Sequence, residues 1–154
     1  MIVCKGKDQL DKMRHANLIV ARVLQQLGRL IQPGVTTAYL DRVAEKMILD
    51  AGGQPAFKGY QGFPASLCAS INEQIVHGIP GDRPLEAGDI VGLDVGVRWQ
   101  GFCGDSAWTF PVGEIPSRLE KLLRVTRESL FKGIEQVVVG NRISDISASV
   151  QKGK

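Results

Sequence analysis

The sequence predicts an α+β fold in one domain, residues 1–154. Three observations carry this. Residues 8–31 repeat apolar side chains at three- and four-residue steps. Residues 67–110 hold short strand-like runs separated by turn residues. Helical periodicity returns from Ser117. Helices segregated from a block of hairpins are the signature of α+β rather than of alternating βαβ units. With 154 residues, 44% hydrophobic and 23% charged, the chain has the size and composition of one globular domain with a sizeable core.

The first helix places Leu10, Met13, Asn17 or Val20, Leu24, Leu27 and Ile31 on one face. Pro33-Gly34 ends it. Thr36 or Thr37 caps a second helix carrying Leu40, Val43, Ala44, Met47 and Ile48, which stops at Gly52-Gly53. A stretch rich in Gly, Pro and aromatics follows, from 53 to 64. Leu67–Ile71 and Gln74–His77 read as two short strands joined at Asn72-Glu73. Pro80–Pro84 is a loop. Residues 90–97 and 101–110 read as a hairpin turning at Arg98–Gly101. Ser117-Arg118-Leu119-Glu120 has the pattern of a capping box and opens a helix to Val138. Gly140-Asn141 ends that helix. Ser144 caps a further one, with Ile146 and Val150 on one side.

Composition excludes several classes. The net charge of +3 is small and its basic residues are interleaved with acids, as in Arg118-Leu119-Glu120-Lys121. No nucleic-acid partner is expected from it. Cys4, Cys68 and Cys103 are an odd number with no CxxC spacing, so neither a disulfide framework nor a zinc cluster is expected. The first residues lack the apolar core of a signal peptide, and no apolar run has membrane-spanning length. A cytoplasmic protein is expected.

The chemistry centres on Asp94 and Asp105, one on each arm of the 90–110 hairpin. A carboxylate in a half-buried strand is unfavourable unless its charge is compensated. Two nearby repel each other, and a bound cation removes both costs. The competing reading puts them at strand ends in water or on backbone amides. His77 reads as a donor to substrate, a metal ligand or a surface residue. Tyr60, Phe63 and Cys68 flank a Gly- and Pro-rich turn and can wall an apolar pocket, or simply form core under a loop. No His and Asn follow Cys68 at the distance a thiol nucleophile needs.

Longer strings add a resemblance. Gly59-Tyr60-Gln61-Gly62-Phe63-Pro64-Ala65-Ser66-Leu67-Cys68-Ala69-Ser70-Ile71-Asn72-Glu73, then Val76-His77-Gly78-Ile79-Pro80, resemble type I methionine aminopeptidases. Leu93-Asp94-Val95-Gly96 and Gly104-Asp105 match the same family at its spacing. The resemblance runs from residue 2 to residue 150. It implies a pita-bread fold of two α/β halves related by a pseudo-twofold axis. It implies removal of the initiator methionine from nascent polypeptides by metal-dependent hydrolysis. Two divalent ions, of the Co(II), Mn(II) or Fe(II) kind, are implied as cofactors, held by two Asp, one His and two Glu.

Carried over residue by residue, Asp94 and Asp105 match the two metal-binding aspartates, with Asp105 bridging. His77 matches the substrate-contacting histidine, expected to act on the substrate's peptide group during catalysis. Tyr60, Phe63 and Cys68 match positions lining the methionine pocket. The N-terminal Met of nascent peptides is the implied partner, and the ribosome a candidate one; no membrane is.

The sequence also departs from the family. Gln61 and Cys103 stand where His is frequent, and Ser106 where Thr is. The family's second half, with its remaining His and Glu ligands, has no counterpart. Gly153-Lys154 departs from the helix that the family continues. The expectation is therefore an incomplete catalytic domain, inactive alone, that self-associates through its uncovered half. The alternatives are a non-catalytic remnant or peptide-binding module of the same fold, and a homodimer of half-chains, which would bring four Asp and no Glu.

Overall fold

A computed structural model describes residues 3–152 of the chain. It divides into two compact units, Met1–Glu114 and Ile115–Lys154. Gly153-Lys154, expected to depart from the family's helix, lies outside the described residues.

In the first unit, α1 (Lys7–Leu30) and α2 (Thr37–Asp50) form where the periodicity places them. The buried stripe of α1 begins at Ala16 and continues through Ile19, Val20, Val23, Leu24 and Leu27; Leu10 stays in solvent. Thr36 is the cap of α2, its hydroxyl accepting from Tyr39 N at 3.2 Å. A two-residue strand β1 (Gln54–Pro55) follows, then a 3-10 turn at Tyr60–Gly62.

Strands β2 (Leu67–Ile71), β3 (Ile90–Trp99) and β4 (Phe102–Pro111) complete one antiparallel sheet. β3 is its centre. β4 runs along one side of it, and β1 and β2 pair with the other. The hairpin turn is tighter than expected: Arg98 and Trp99 belong to β3, and only Gln100 (φ 47°) and Gly101 (φ 82°) turn. Two consecutive left-handed residues make the turn whose twist suits paired strands. His15 of α1 stacks on Trp99, ring centroids 4.1 Å apart.

Residues alternate across β3. Val91, Leu93, Val95 and Val97 are fully buried and meet the apolar faces of α1 and α2. Gly104 of β4 lies so close to α1 that a Cβ there would stand 2.6 Å from the carbonyl carbon of Ala16. The even-numbered residues of β3 point to the opposite face.

One expected strand does not form. Residues 74–77 are an exposed loop, and only β2 is a strand in that pair. Asn72 (φ 53°) and His77 (φ 60°) are both left-handed, which breaks the extended geometry at either end. A single ladder-like bond, Ala69 N to Gly78 O at 2.9 Å, joins the returning chain to β2.

The second unit is a pair of helices, α3 (Ser117–Glu135) and α4 (Ile143–Lys152). Pro116, not Ser117, is the N-cap of α3, and no side chain caps it. The helix ends at Glu135, and 136–141 turns through Gly140 (φ 100°) instead of prolonging it to Val138. Ser144 lies inside α4; the N-terminal bond comes from Arg142 N to Asp145 Oδ2, 2.7 Å. Ile146 and Val150 pack at Gly133, as their spacing predicts. Leu122, Leu130, Phe131, Ile134, Val137 and Val138 are exposed. No helix among the described residues is long and apolar enough to cross a membrane.

Candidate metal centre

Asp94 and Asp105 share the face of the sheet turned away from the helices. Their backbone register makes them diagonal rather than opposite neighbours. Asp94 pairs with Ala107 and Asp105 with Gly96. Such diagonal partners on one face remain within reach of each other. Gly96, between them on β3, has no side chain to intrude; a Cβ there would stand 2.5 Å from the ring of Phe57.

The electrostatics follow from this placement. The Asp94 carboxyl is pushed up to about 6, first by burial and then by the negative charge of Asp105 and a hydrogen bond with that side chain. Two carboxyls can share a hydrogen bond only when one keeps its proton. His77 acts in the opposite sense, favouring the Asp94 carboxylate. Asp94 Oδ1 is buried with no hydrogen-bond partner among the described residues. An orphaned buried carboxylate oxygen beside a second carboxylate fits a hard cation.

Cys68 lies directly across from Asp94 on β2. Its thiol is pushed up to about 11, chiefly by burial, then by the charges of Asp94, Asp105 and Asp41. It stays protonated at neutral pH and behaves as a small apolar side chain. His77 sits at the end of the exposed 72–77 loop, directly before Gly78, which bonds to Ala69 of β2. The structure thus sets Cys68 opposite Asp94 and Asp105 diagonal to it, while the segment after His77 returns beside β2 through the bond from Ala69 N to Gly78 O. Tyr60 and Phe63 lie on the turn that leads into β2; Tyr60 is 64% exposed and Phe63 half-buried. Among the described residues, no group of three or more His, Cys, Asp and Glu side chains gathers that could hold a metal ion.

Several supporting residues escaped the sequence reading. Asp41 of α2 accepts hydrogen bonds from Ser66 N (2.9 Å) and Leu67 N (2.8 Å), anchoring the start of β2. Burial raises its pKa despite those bonds. Ser70 Oγ accepts from Gly78 N at 3.1 Å, and Asn72 bonds to Asp89 at 2.7 Å. An aspartate on an amphipathic helix carries no mark of such a long-range bond. Asn72 did carry a turn signal, since Asn tolerates left-handed backbone.

A model of metallopeptidase family M24 matches residues 11–153. The methionine aminopeptidase 1 of Bacillus subtilis is 49% identical over 151 residues, which are 98% of this chain and 61% of that protein. The crystal structure of a methionine aminopeptidase from Rickettsia prowazekii superposes with a TM-score of 0.96 at 37% identity, covering 99% of this chain and 62% of that one. A prolidase from Pyrococcus furiosus shares the fold, with a TM-score of 0.85 at 18% identity, over 97% of this chain and 43% of that one. The chain spans about three-fifths of the length of the curated relative it matches. These likenesses agree with the pita-bread architecture expected from the sequence.

Proposed function

Because the chain belongs to metallopeptidase family M24, we propose that it supplies the aspartate half of a centre that removes the N-terminal methionine from polypeptides. Proteins named methionine aminopeptidase are its relatives over nearly its whole length. The observation that carries the reading is the Asp94–Asp105 pair, with its orphaned buried oxygen.

In this reading Asp94 and Asp105 hold divalent metal. Their hard oxygen donors suit Mn(II), Fe(II) or Co(II) without selecting among them. The bound metal would polarise the scissile carbonyl and lower the pKa of water at the site. The chain's own residues do the rest. His77 donates a hydrogen bond to the substrate's peptide group where charge develops. Cys68, Phe63 and Tyr60 wall a pocket for one unbranched apolar side chain, and the neutral Cys68 thiol keeps that wall apolar. Two carboxylates fall short of the four ligands a divalent ion usually takes, so metal held by this chain keeps much of its water.

Calorimetry with Mn(II) tests the reading. Weak binding, lost in Asp94→Asn, is expected. Binding that survives both Asp94→Asn and Asp105→Asn would refute the assignment of these ligands.

A second reading is a non-catalytic peptide-binding module of the same fold. What supports it is the neutral Cys68 thiol, which would wall an apolar pocket with or without metal. Quenching of Trp fluorescence by Met-Ala-Ser in the presence of a chelator would favour this reading; no response without metal would remove it.

A further inference from the structure

The loop that carries His77 has almost no packing of its own. Glu73 to His77 are all exposed, with Ile75 91% and Val76 64% in solvent. Both of its ends are left-handed at residues with a Cβ, Asn72 and His77. Such backbone is well tolerated by Asn and less favourable at His77. Hydrogen bonds at the two ends impose it here.

At one end, Asn72 is bound through three bonds. Its N–H donates to Ile90 O (3.0 Å), its Oδ1 accepts from Ile90 N (3.0 Å), and its Nδ2 donates to Asp89 Oδ1 (2.7 Å). Asp89 is itself fixed. It is 6% exposed, accepts from Glu86 N at 3.0 Å, and pairs with Arg83 at 3.3 Å. At the other end, Gly78 N donates to Ser70 Oγ and Gly78 O accepts from Ala69 N. A Cβ at Gly78 would collide with the backbone carbonyl of Ala69, so only glycine fits. His77 stands between the clamps, next to the second one.

We propose that Asn72, locked to buried Asp89, is a positioning residue that sets His77 against the Asp94–Asp105 pair. Asn72 bonds to Asp89 and to the Ile90 backbone, not to the Asp94–Asp105 pair, and acts by fixing where the loop leaves β2. The inference rests on His77 being a working group beside the acids. The chemistry needs an amide side chain at 72. It must accept from a backbone N–H and donate to a carboxylate at once, and a carboxylate at 72 would meet Asp89 as a like charge.

The test uses the isotope-labelled 154-residue chain and two readouts. Amide exchange at Gly78 and Ala69 reports the clamp, with Leu40 and Val97 as references. Line broadening of the His77 imidazole protons by Mn(II) reports its distance from the acids, with the amides of Val95 and Ser106 as references. In Asn72→Ala, exchange at Gly78 rises at least about tenfold, the effect of one lost buried partner. Leu40 and Val97 do not change. His77 loses its broadening while Val95 and Ser106 keep theirs. Asn72→Asp behaves likewise, and the swap Asn72→Asp with Asp89→Asn restores both readouts, because donor and acceptor are exchanged.

Unchanged Gly78 exchange and unchanged His77 broadening in Asn72→Ala would overturn the proposal. So would a swap that rescues nothing. Should Asn72→Ala lose protection everywhere, Asn72→Ser decides by the same criteria. If Mn(II) broadens neither Val95 nor Ser106 in the unsubstituted chain, the metal reading fails. The exchange arm then still decides the clamp.

Discussion

Asp94 and Asp105 are diagonal neighbours on one face of the β3–β4 hairpin, two residues out of register, with Gly96 opposite Asp105 and Ala107 opposite Asp94. The offset keeps their backbones apart and lets the side chains approach. The cost falls on Asp94, the more buried of the two, whose carboxyl is pushed up to about 6.

That cost has a sign. A carboxyl raised in the folded state binds more protons folded than unfolded, so its ionisation weakens the fold as pH rises. The penalty is absent below the ordinary value of 3.8 and complete above about 6. Asp94→Asn is therefore expected to stabilise the metal-free chain at pH 7.5 by about 1 kcal/mol, discounted for partial exposure. The gain should vanish toward pH 4. Urea unfolding at both pH values checks it; destabilisation at pH 7.5 would mean that Asp94 makes a favourable contact in the metal-free state.

The same proton competes with metal. Mn(II) affinity should fall as pH drops below about 6, the region where Asp94 protonates. Calorimetry between pH 5 and 7.5 measures it. An affinity independent of pH over that range would place the ligands elsewhere.

Turnover of Met-Ala-Ser by the 154-residue polypeptide, with Co(II) or Mn(II), is expected to be negligible. Two aspartates leave the ion under-coordinated, and no larger ligand group gathers among the described residues. Chelator-sensitive turnover that disappears in Asp105→Ala would contradict this.

Gly104→Ala should destabilise the chain by about 1–3 kcal/mol, the usual range for overpacking. The added Cβ would meet backbone atoms of Ala16 and Asn17 at 2.6 Å, and backbone cannot rotate aside. Thermal unfolding tests it, with the exposed Ser106→Ala as a control.

The 154-residue polypeptide should self-associate. Leu122, Leu130, Phe131 and Ile134 are each about half exposed, and β4 pairs only with β3 among the described residues. Apolar patches and open strand edges both promote association. Size-exclusion chromatography decides it; a sharp monomer peak with one steep thermal transition would show these surfaces to be tolerated.

The sequence by itself determined the elements with a strong period and the residues with a strong chemical oddity. α1 and α2 fall where their apolar spacing puts them, because a helix face must meet a core. The long hairpin follows from two alternating runs around Gln100-Gly101, and its two acids stand out because strands exclude unpaired charge. The strings from Gly59 to Pro80 pointed to the family. Only the tertiary structure decided the diagonal register of Asp94 and Asp105, since register depends on which residues turn. It also decided that 74–77 is a loop. Those residues have strand-like chemistry, but Asn72 is drawn to Asp89 and Ile90, seventeen and eighteen residues away. Asp41 shows the same limit: its bonds to Ser66 N and Leu67 N span 25 and 26 residues. A local pattern records the period of an element and the type of a side chain. It does not record which distant backbone group that side chain will satisfy, because that choice is made when the layers pack.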